Sequence, residues 1–356
     1  MQLLRLFLST VANERLAQAA THFLPYKTAV AASSSGHSQD GTQRITATGL
    51  HGAANTVVYC PPTGAAAPCG HVCVFAGDLQ AERNIMSASR KASEWGAYCL
   101  EATATNLARH KFPGHHVWVI KPSRHAHGAF ACYENFSSHT CRHSGAFTWY
   151  DPHGFASLHL ELLLQSAFSH VGLDSGRLPD PTLPITLVGF SKGGGALNQL
   201  VTELGADTAA RRLFSRVAAV HWVDAGNGMH RGSLPADAAA LAALAAEHPS
   251  VRLRVHGSPY QWRNADRPWL ALERDAFVRA VGAARAHAGS SGGSAATGAG
   301  GGGGAAGESG DGGTGSSGGG EQGSGAPVRC TEYFGDMPGS LALHFRMLEV
   351  FDPNGA

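Results

Sequence analysis

Short apolar runs alternate with longer amphipathic stretches along most of this chain. Runs rich in β-branched and aromatic residues predict strands, and apolar residues at helical spacing predict helices. The predicted strands span residues 71–75, 117–120, 185–188, 217–223, 251–255 and 328–334. The predicted helices span residues 94–110, 155–168, 192–204, 236–247, 268–285 and 341–350.

A predicted β-hairpin precedes this alternation. Its strands, residues 44–48 and 56–59, are separated by Gly49 and Gly52, and the second strand ends at Pro61, which cannot donate to a ladder. Strands that then alternate with helices predict an α/β fold with a mostly parallel sheet and helices on both faces. Functional sites in such sheets lie at the carboxyl ends of the strands.

One segment departs from this pattern. Glycine supplies 19 of the 37 residues from 289 to 325, and a segment of this composition cannot bury enough apolar surface to offset its ordering entropy. The composition therefore predicts a disordered, flexible insertion. Because a strand and a helix are predicted after it, the insertion interrupts a single domain over residues 45–356 and does not separate two domains.

Charge and cysteine content narrow the class of protein. Lysine plus arginine total 27 and aspartate plus glutamate total 26, so there is no excess positive charge to hold nucleic acid or an anionic membrane. No run approaches the roughly 18 apolar residues of a membrane helix, and no transmembrane segment is predicted. The seven cysteines are an odd number and are dispersed, which favours a reducing compartment over a disulfide scaffold.

The first 44 residues have a composition of their own. Basic residues outnumber acidic ones, the start is rich in leucine and a serine-rich stretch follows. This composition is typical of an organellar transit segment. The alternative is a frayed or docked N-terminal helix.

The sequence Gly189-Phe190-Ser191-Lys192-Gly193 is the strongest chemical signal. The same G-x-S-x-G pattern occurs at 289–293 and 315–319, but only the first copy follows an apolar strand and opens a helix. A nucleophile elbow requires that context, because the serine must sit on a tight strand-to-helix turn. Ser191 is therefore the candidate nucleophile; the alternative is a glycine-rich turn without catalysis.

A serine nucleophile needs a base, and in this type of fold the base follows the last strand. Six histidines lie downstream of Ser191, at 221, 230, 248, 256, 287 and 344. His344 follows the last predicted strand and is the candidate base, with a surface helix residue as the alternative. His221 and His256 lie in predicted strands and are interpreted as packed residues, and His287 borders the insertion.

Two carboxylates are candidates for the acid that holds the base. Asp224 ends the strand 217–223, and Asp266 lies in the loop after the strand 251–255. Asp224 is favoured because the sheet fixes its position. Asp266 lies between Arg263 and Arg267, which could pair with it instead.

An oxyanion hole needs the backbone N–H of the residue after the nucleophile and a second N–H from a loop after an earlier strand. The first belongs to Lys192. The loop after strand 71–75 supplies the second at Asp78, because Gly77 would let the backbone turn toward Ser191. The alternative for Gly77 and Asp78 is an ordinary turn.

Twenty histidines raise the question of a metal site. The candidate ligands are Cys69, His71, Cys73, His115, His116, Cys132, His139, Cys141 and His143. Their spacing is not that of a zinc finger, and His71 and Cys73 alternate along a predicted strand, so no metal is predicted. The turn at Ser191 is not a phosphate loop either, because Lys192 precedes the glycines there, whereas the lysine of a phosphate loop follows them. No cofactor is implied.

Several motifs together resemble the family of the vertebrate chromosome 2 open reading frame 69 protein. They are HVCVFAGD from His71, HVWVIKPSR from His116, CYENF from Cys132, LVGFSKG from Leu187, HWVDAG from His221, SPYQ from Ser258 and HFRMLEVF from His344. The resemblance covers about residues 70–285 and 328–352. It implies an α/β-hydrolase-like fold, an association with mitochondria and a serine-hydrolase-like site with no established substrate.

Carried over by position, the resemblance makes Ser191 the nucleophile and His344 the base. Two residues depart from the family pattern: Ala76 stands where proline is usual, and Asn264 stands where an acid can occur. The second departure weakens an acid in the loop after residue 255 and favours Asp224.

The predicted function is that of a serine hydrolase acting on an ester, thioester or amide through a Ser-Asp-His triad. Two alternatives remain open. One is a catalytically inactive hydrolase fold that serves as a mitochondrial binding or regulatory factor. The other is an acyltransferase that uses the same triad. Mitochondrial localisation is expected, with the cytoplasm or another organelle as the alternative.

Overall fold

An eight-stranded sheet organises the chain in the computed structural model, which describes residues 41–64, 66–176, 178–291 and 328–355. Its strands, in sheet order, are β1 (Gln43–Thr48), β2 (Ala54–Cys60), β4 (His115–Ile120), β3 (Gly70–Phe75), β7 (Ile185–Phe190), β8 (Val217–Val223), β9 (Arg252–Gly257) and β10 (Arg329–Glu332). Only the pairs β1–β2 and β2–β4 are antiparallel; all others are parallel. A separate hairpin joins β5 (Arg124–Ala126) to β6 (Phe130–Cys132).

Nine α-helices connect or flank these strands in the described part of the chain. They are α1 (Arg83–Ala88), α2 (Leu100–Asn106), α3 (Ala156–Ser175), α4 (Gly193–Glu203), α5 (Thr208–Phe214), α6 (Ala238–Glu247), α7 (Pro259–Trp262), α8 (Trp269–Ser291) and α9 (Leu341–Val350). None of the described helices combines the length and the apolar character needed to cross a bilayer.

Two apolar cores lie on opposite faces of the sheet. Strands β3 and β7 are buried at every position, as expected for central parallel strands with both faces covered. On one face, side chains of α3, α4, α6 and α8 pack in a single cluster with strand residues such as Trp118 and Trp222. On the other face, α2 and α9 pack against residues such as Val72 and Val119. The predicted α/β fold, with a mostly parallel sheet and helices on both faces, is confirmed.

Side-chain carboxylates and hydroxyls fix where several helices begin. Glu203 of α4 accepts hydrogen bonds from the N–H groups of Ala156 and Ser157, at 2.7 and 2.8 Å, and so caps the start of α3 with a neighbouring helix. Ser340 accepts from the N–H of Leu343 and fixes the start of α9. The position of α9 matters because this helix carries His344.

Three predicted helices have wrong boundaries. The helix predicted over 155–168 continues to Ser175 as α3. The single helix predicted over 94–110 is broken into a 3₁₀ segment at Ser93–Tyr98, α2, and a π segment at Leu107–Lys111. The chain leaves helical geometry at Cys99, whose ψ is 164°, and the N–H of Leu100, the first residue of α2, bonds to the carbonyl of Ala81. Helix α8 also continues to Ser291, so the first three residues of the predicted insertion are helical.

The remaining predictions on organisation concern mostly residues outside the described ranges. Of the proposed transit segment, residues 1–44, only residues 41–44 lie within the described ranges, and β1 begins among them at Gln43. Residues 292–327 of the insertion region also lie outside them.

Candidate active site

Ser191 occupies a tight turn between β7 and α4. Its φ is +52°, in the left-handed region that costs a non-glycine residue conformational energy. The flanking glycines are needed for space: a Cβ on Gly189 would lie 2.8 Å from the Cα of Gly194, and one on Gly193 would lie 2.1 Å from the carbonyl oxygen of Phe75. The turn has the strand-to-helix geometry of a nucleophile elbow.

The carboxylate at the end of β8 meets the histidine of α9. The Nδ1 atom of His344 lies 2.7 Å from Oδ2 of Asp224, and the two residues are 4% and 0% exposed. A hydrogen bond from Nδ1–H to the carboxylate fixes the tautomer, and it leaves Nε2 as the atom that can accept a proton. These residues are 120 positions apart in sequence, and the sheet and the last helix bring them together.

Asp224 is itself held from the loop after β9. Ser258 donates to it twice, from its backbone N–H to Oδ1 and from its hydroxyl to Oδ2, each at 2.7 Å. Gln261 Nε2 donates to the carbonyl oxygen of Asp224 at 2.9 Å, which supports a backbone whose φ is +45°. Sequence reasoning missed the contribution of Ser258 and Gln261, although both lie in the SPYQ motif that follows the strand.

The imidazole of His344 lies between two aromatic rings. Phe190, the residue before Ser191, stacks on it with ring centroids 4.7 Å apart, and Tyr260 lies against it at 4.8 Å. Together with Asp224, these rings fix the plane of the imidazole beside the elbow. Phe190 and Tyr260 were not predicted as part of the site, because stacking depends on the packing of separate elements.

Among the described residues, no hydrogen bond joins Ser191 to His344, although Phe190 next to Ser191 stacks on the imidazole. In the described ranges the Ser191 hydroxyl makes no hydrogen bond to a protein group, and the residue is 9% exposed. In a free enzyme a catalytic hydrogen bond is often long and shortens only when substrate is bound.

The loop after β3 lies directly against Ser191. A Cβ on Gly77 would be 2.7 Å from Cβ of Ser191, so only glycine allows the approach. The N–H groups of Gly77 and Leu79 are used, by Gln80 Oε1 and the carbonyl of Ala129. Within the described residues, no hydrogen bond engages the N–H of Asp78 or Lys192. The two N–H groups predicted for an oxyanion hole therefore have no protein acceptor.

Asp266 does not join this site. It is exposed, and its backbone N–H bonds to the side chain of Asn264. The two arginines that could pair with it have other partners: Arg263 pairs with Glu332 at 2.8 Å, and Arg267 lies on the ring of Tyr260. Asp224 is therefore the candidate acid that contacts the histidine.

The histidines and cysteines considered as metal ligands do not form a metal centre in the described ranges, where no three such groups converge. His71 illustrates the other use of these side chains, because its ring nitrogens bond to the carbonyl of Asp180 and the indole N–H of Trp118. His221 and His256, the strand histidines, face each other at 3.1 Å in the core.

The sequence profile of the C2orf69 family matches residues 44–177 and 181–286, which is more than half of the chain. The chain belongs to the C2orf69 family. The mitochondrial protein C2orf69 homolog of Danio rerio is 34% identical over an alignment of 233 positions, and the match covers 61% of this chain and 67% of that protein. The human mitochondrial protein C2orf69 is 28% identical over an alignment of 268 positions, and that match covers 60% of this chain and 67% of that protein. These names confirm the expected mitochondrial association of the family.

Solved structures with a similar fold are hydrolases. A thermostable esterase is 13% identical and has a TM-score of 0.37, with 83% of this chain and 55% of that chain covered. A puromycin-hydrolyzing peptidase of Mycobacterium tuberculosis is 12% identical and has a TM-score of 0.35, with 69% and 34% covered. A dienelactone hydrolase of Klebsiella pneumoniae is 13% identical and has a TM-score of 0.32, with 69% and 80% covered.

Proposed function

We propose that this C2orf69-family chain is a serine hydrolase that cleaves an ester, thioester or amide. Ser191 is the nucleophile, His344 the general base and Asp224 the acid that orients the base. The observation that carries the proposal is the 2.7 Å contact between Asp224 and His344, with the imidazole stacked on the residue that precedes Ser191. A structural role alone does not require a buried carboxylate, an imidazole and a strained serine turn at one end of the sheet.

The proposed reaction begins with attack of Ser191 Oγ on the substrate carbonyl carbon. The hydroxyl proton passes to Nε2 of His344, and Asp224 stabilises the imidazolium through Nδ1–H. The carbonyl oxygen becomes negative and accepts hydrogen bonds from the N–H groups of Lys192 and Asp78. The amino terminus of α4 adds a favourable partial charge.

Collapse of this intermediate expels the leaving group, which takes the proton from Nε2 and leaves an acyl group on Ser191. A water molecule then gives a proton to the same nitrogen and attacks the acyl carbon. Release of the carboxylic acid restores the serine. Each proton is held by His344 in turn, so the position of the imidazole governs both halves of the reaction.

One observation favours a second candidate, a catalytically inactive fold that serves as a mitochondrial binding factor. The serine hydroxyl makes no hydrogen bond to His344 in the described ranges. A hydrolase needs that distance to close when substrate binds, whereas a binding protein does not. The acyltransferase alternative has no feature of its own here and would be detected through products formed with added acceptors.

The experiment is covalent labelling of the full chain with a fluorophosphonate probe. Wild-type protein is expected to react at Ser191, identified by peptide mass spectrometry, because an activated serine attacks the phosphorus atom. Ser191→Ala is expected to abolish labelling and to leave the melting temperature almost unchanged.

Ser258→Ala is a useful companion variant, because Ser258 supports Asp224 without a proposed role in bond formation. Slower labelling of Ser258→Ala would accord with a triad positioned by this loop. Folded wild-type protein that does not label, and that hydrolyses no activated ester, would support the inactive binding factor instead.

A further inference from the structure

Lys192 carries a charged side chain into the interior beside the candidate nucleophile. The residue is 2% exposed, and its Nζ donates to the carbonyl oxygen of Ser144 at 2.8 Å. The same ammonium lies 3.5 Å from Oδ2 of Asp78 and 5.8 Å from the centre of the Phe130 ring. A buried ammonium is costly unless it is paired, so the location of this lysine calls for an explanation.

The partner carboxylate is engaged on both oxygens. Oδ1 of Asp78 accepts a hydrogen bond from the N–H of Ala131 at 2.7 Å, and Oδ2 faces Lys192. Burial raises the pKa of Asp78, while Lys192 and the Ala131 N–H act in the opposite direction. The pair therefore links the turn after β3, the elbow after β7, strand β6 through Ala131 and the turn that contains Ser144.

Lys192 and Asp78 are also the residues whose backbone N–H groups are the proposed oxyanion donors, and among the described residues neither N–H has a protein acceptor. The ion pair joins the side chains of these same two residues. Hydrogen-bond donors stabilise a developing charge best when they are held in place before the reaction begins. A loop and a turn from different strands would otherwise move independently.

We propose that the Lys192–Asp78 ion pair is a positioning device that holds the two oxyanion N–H groups at a fixed separation. This inference rests on the proposed hydrolase function. The side chains do not touch the reacting atoms; they act through the backbone of their own residues.

The test uses the full chain with the variants Lys192→Met, Asp78→Asn and their combination. Asp78→Asn keeps the size of the side chain and an oxygen for the Ala131 N–H, so it carries the test even if Lys192→Met does not fold. Arg44→Met is the matched control, because it removes another cation paired with a buried carboxylate, Glu101 at 2.8 Å. Arg44 lies on β1, at the far edge of the sheet from β7.

The readout compares a p-nitrophenyl ester with the thionoester in which sulfur replaces the carbonyl oxygen. Sulfur accepts hydrogen bonds poorly. The ratio of kcat for the oxygen ester to kcat for the thionoester therefore reports on the oxyanion donors rather than on stability. Each single variant is expected to lower kcat for the oxygen ester about 10- to 100-fold. This decrease is no larger than the one caused by removing a whole oxyanion-hole donor. KM should stay within about threefold, and the ratio should fall in step with kcat.

The double variant is expected to be no slower than the slower single variant, because the two groups act as a unit. Arg44→Met should keep both the wild-type kcat and the ratio. Variants that lose stability but retain the wild-type ratio would overturn the positioning role and leave the hydrolase proposal intact. Wild-type protein that turns over neither ester and fails to label would overturn both.

Discussion

At the scale of single residues, the candidate nucleophile and the candidate acid both have positive φ. A non-glycine residue in this region costs of order 1–3 kcal/mol unless its surroundings impose it. Here backbone hydrogen bonds impose the conformation. The N–H of Ser191 bonds to the carbonyl of Val223, and the N–H of Asp224 bonds to the carbonyl of His256. Parallel strand ends therefore fix both turns.

Replacing Asp224 by Asn is expected to keep the fold and to lower kcat by about 10³- to 10⁴-fold, because an amide favours the wrong imidazole tautomer. The measurement is the rate of hydrolysis of an activated ester, with the melting temperature as the check on folding. Asp266→Asn is the matched control, since Asp266 is exposed and is not one of the residues described above as contacting His344. Equal rates for the two variants would remove Asp224 from the reaction.

A second prediction concerns the space at the elbow. Gly193→Ala places a Cβ 2.1 Å from the carbonyl oxygen of Phe75, so backbone must shift and unfolding should become easier by about 1–3 kcal/mol or more. Gly282→Ala is the control, because a Cβ there meets nothing within 4 Å and lies inside α8. It should stabilise by about 0.5–1 kcal/mol. Urea unfolding of both variants measures the difference, and a stable Gly193→Ala protein would contradict the packing argument.

The sequence predicts some of these residues better than others, for a physical reason. Ser191 and its glycines are local, because one strand, one turn and one helix determine them. Asp224 and His344 could be proposed from their order after the strands. Ser258 and Tyr260 could not, since their contacts depend on how the loop after β9 meets β8 and α9.

At the scale of elements, helix α3 is joined to the opening hairpin by a buried histidine. His159 Nδ1 accepts from the N–H of Leu50, and Nε2–H donates to Asn55 Oδ1, both at 3.0 Å. Gly49 leaves room for the ring, since a Cβ there would lie 2.4 Å from it. This arrangement uses the neutral imidazole, and burial lowers the pKa of His159 to about 4.

Acid is therefore expected to weaken the domain. Between pH 6.5, the ordinary histidine pKa, and about pH 4, the unfolded chain binds a proton at residue 159 that the folded chain does not. The free energy of unfolding should then fall by up to about 1.4 kcal/mol per pH unit for this group. His125 and His256 act in the same direction, because burial lowers their pKa values to about 4 and 3.

The measurement is urea unfolding at intervals from pH 7.5 to 4.5. His159→Gln removes one titrating group, so the slope of its unfolding free energy against pH should be shallower than that of wild type. His153→Gln changes an exposed histidine and should leave the slope unchanged. A His159→Gln protein with the wild-type slope would show that other groups dominate the acid response.

The elements themselves divide into those that the sequence predicts and those that it does not. Central strands are predicted because burial on both faces leaves a continuous apolar run. Helix α9 is predicted because its amphipathic turns leave a helical period. The segment 94–110 has helical spacing throughout, but the chain is extended at Cys99, where ψ is 164°, and this break leaves no trace in the pattern. The short hairpin β5–β6 and helices α1, α5 and α7 were missed because their sequences are too short to show a period.

At the scale of the whole molecule, the domain resumes after the glycine-rich region with β10 and α9. Strand β10 pairs in parallel with β9, and α9 packs on the sheet face that also holds α2. The last elements therefore complete both the sheet and one of its cores. The proposal of one domain over residues 45–356 is consistent with this arrangement and needs a direct test.

Replacing residues 292–327 by a linker of about nine residues is expected to leave the fold and the labelling of Ser191 intact. Loop-closure cost changes by only about 0.6 kcal/mol for each doubling of length, so the melting temperature should rise slightly or stay the same. Calorimetry and fluorophosphonate labelling measure the two effects. A second linker of about nine residues, made only of glycine and serine, is the control for composition. Unfolding of the shortened protein would indicate that the native segment packs on the domain.

The position of His344 has a consequence for synthesis. Ser191 and Asp224 leave the ribosome well before the residues that form α9, and the proposed base is the last member of the triad to be translated. A nascent chain that has completed β7 and β8 therefore holds a serine without its base. On this order of assembly, the proposed hydrolytic competence is gained only after α9 has been translated and has docked on the sheet.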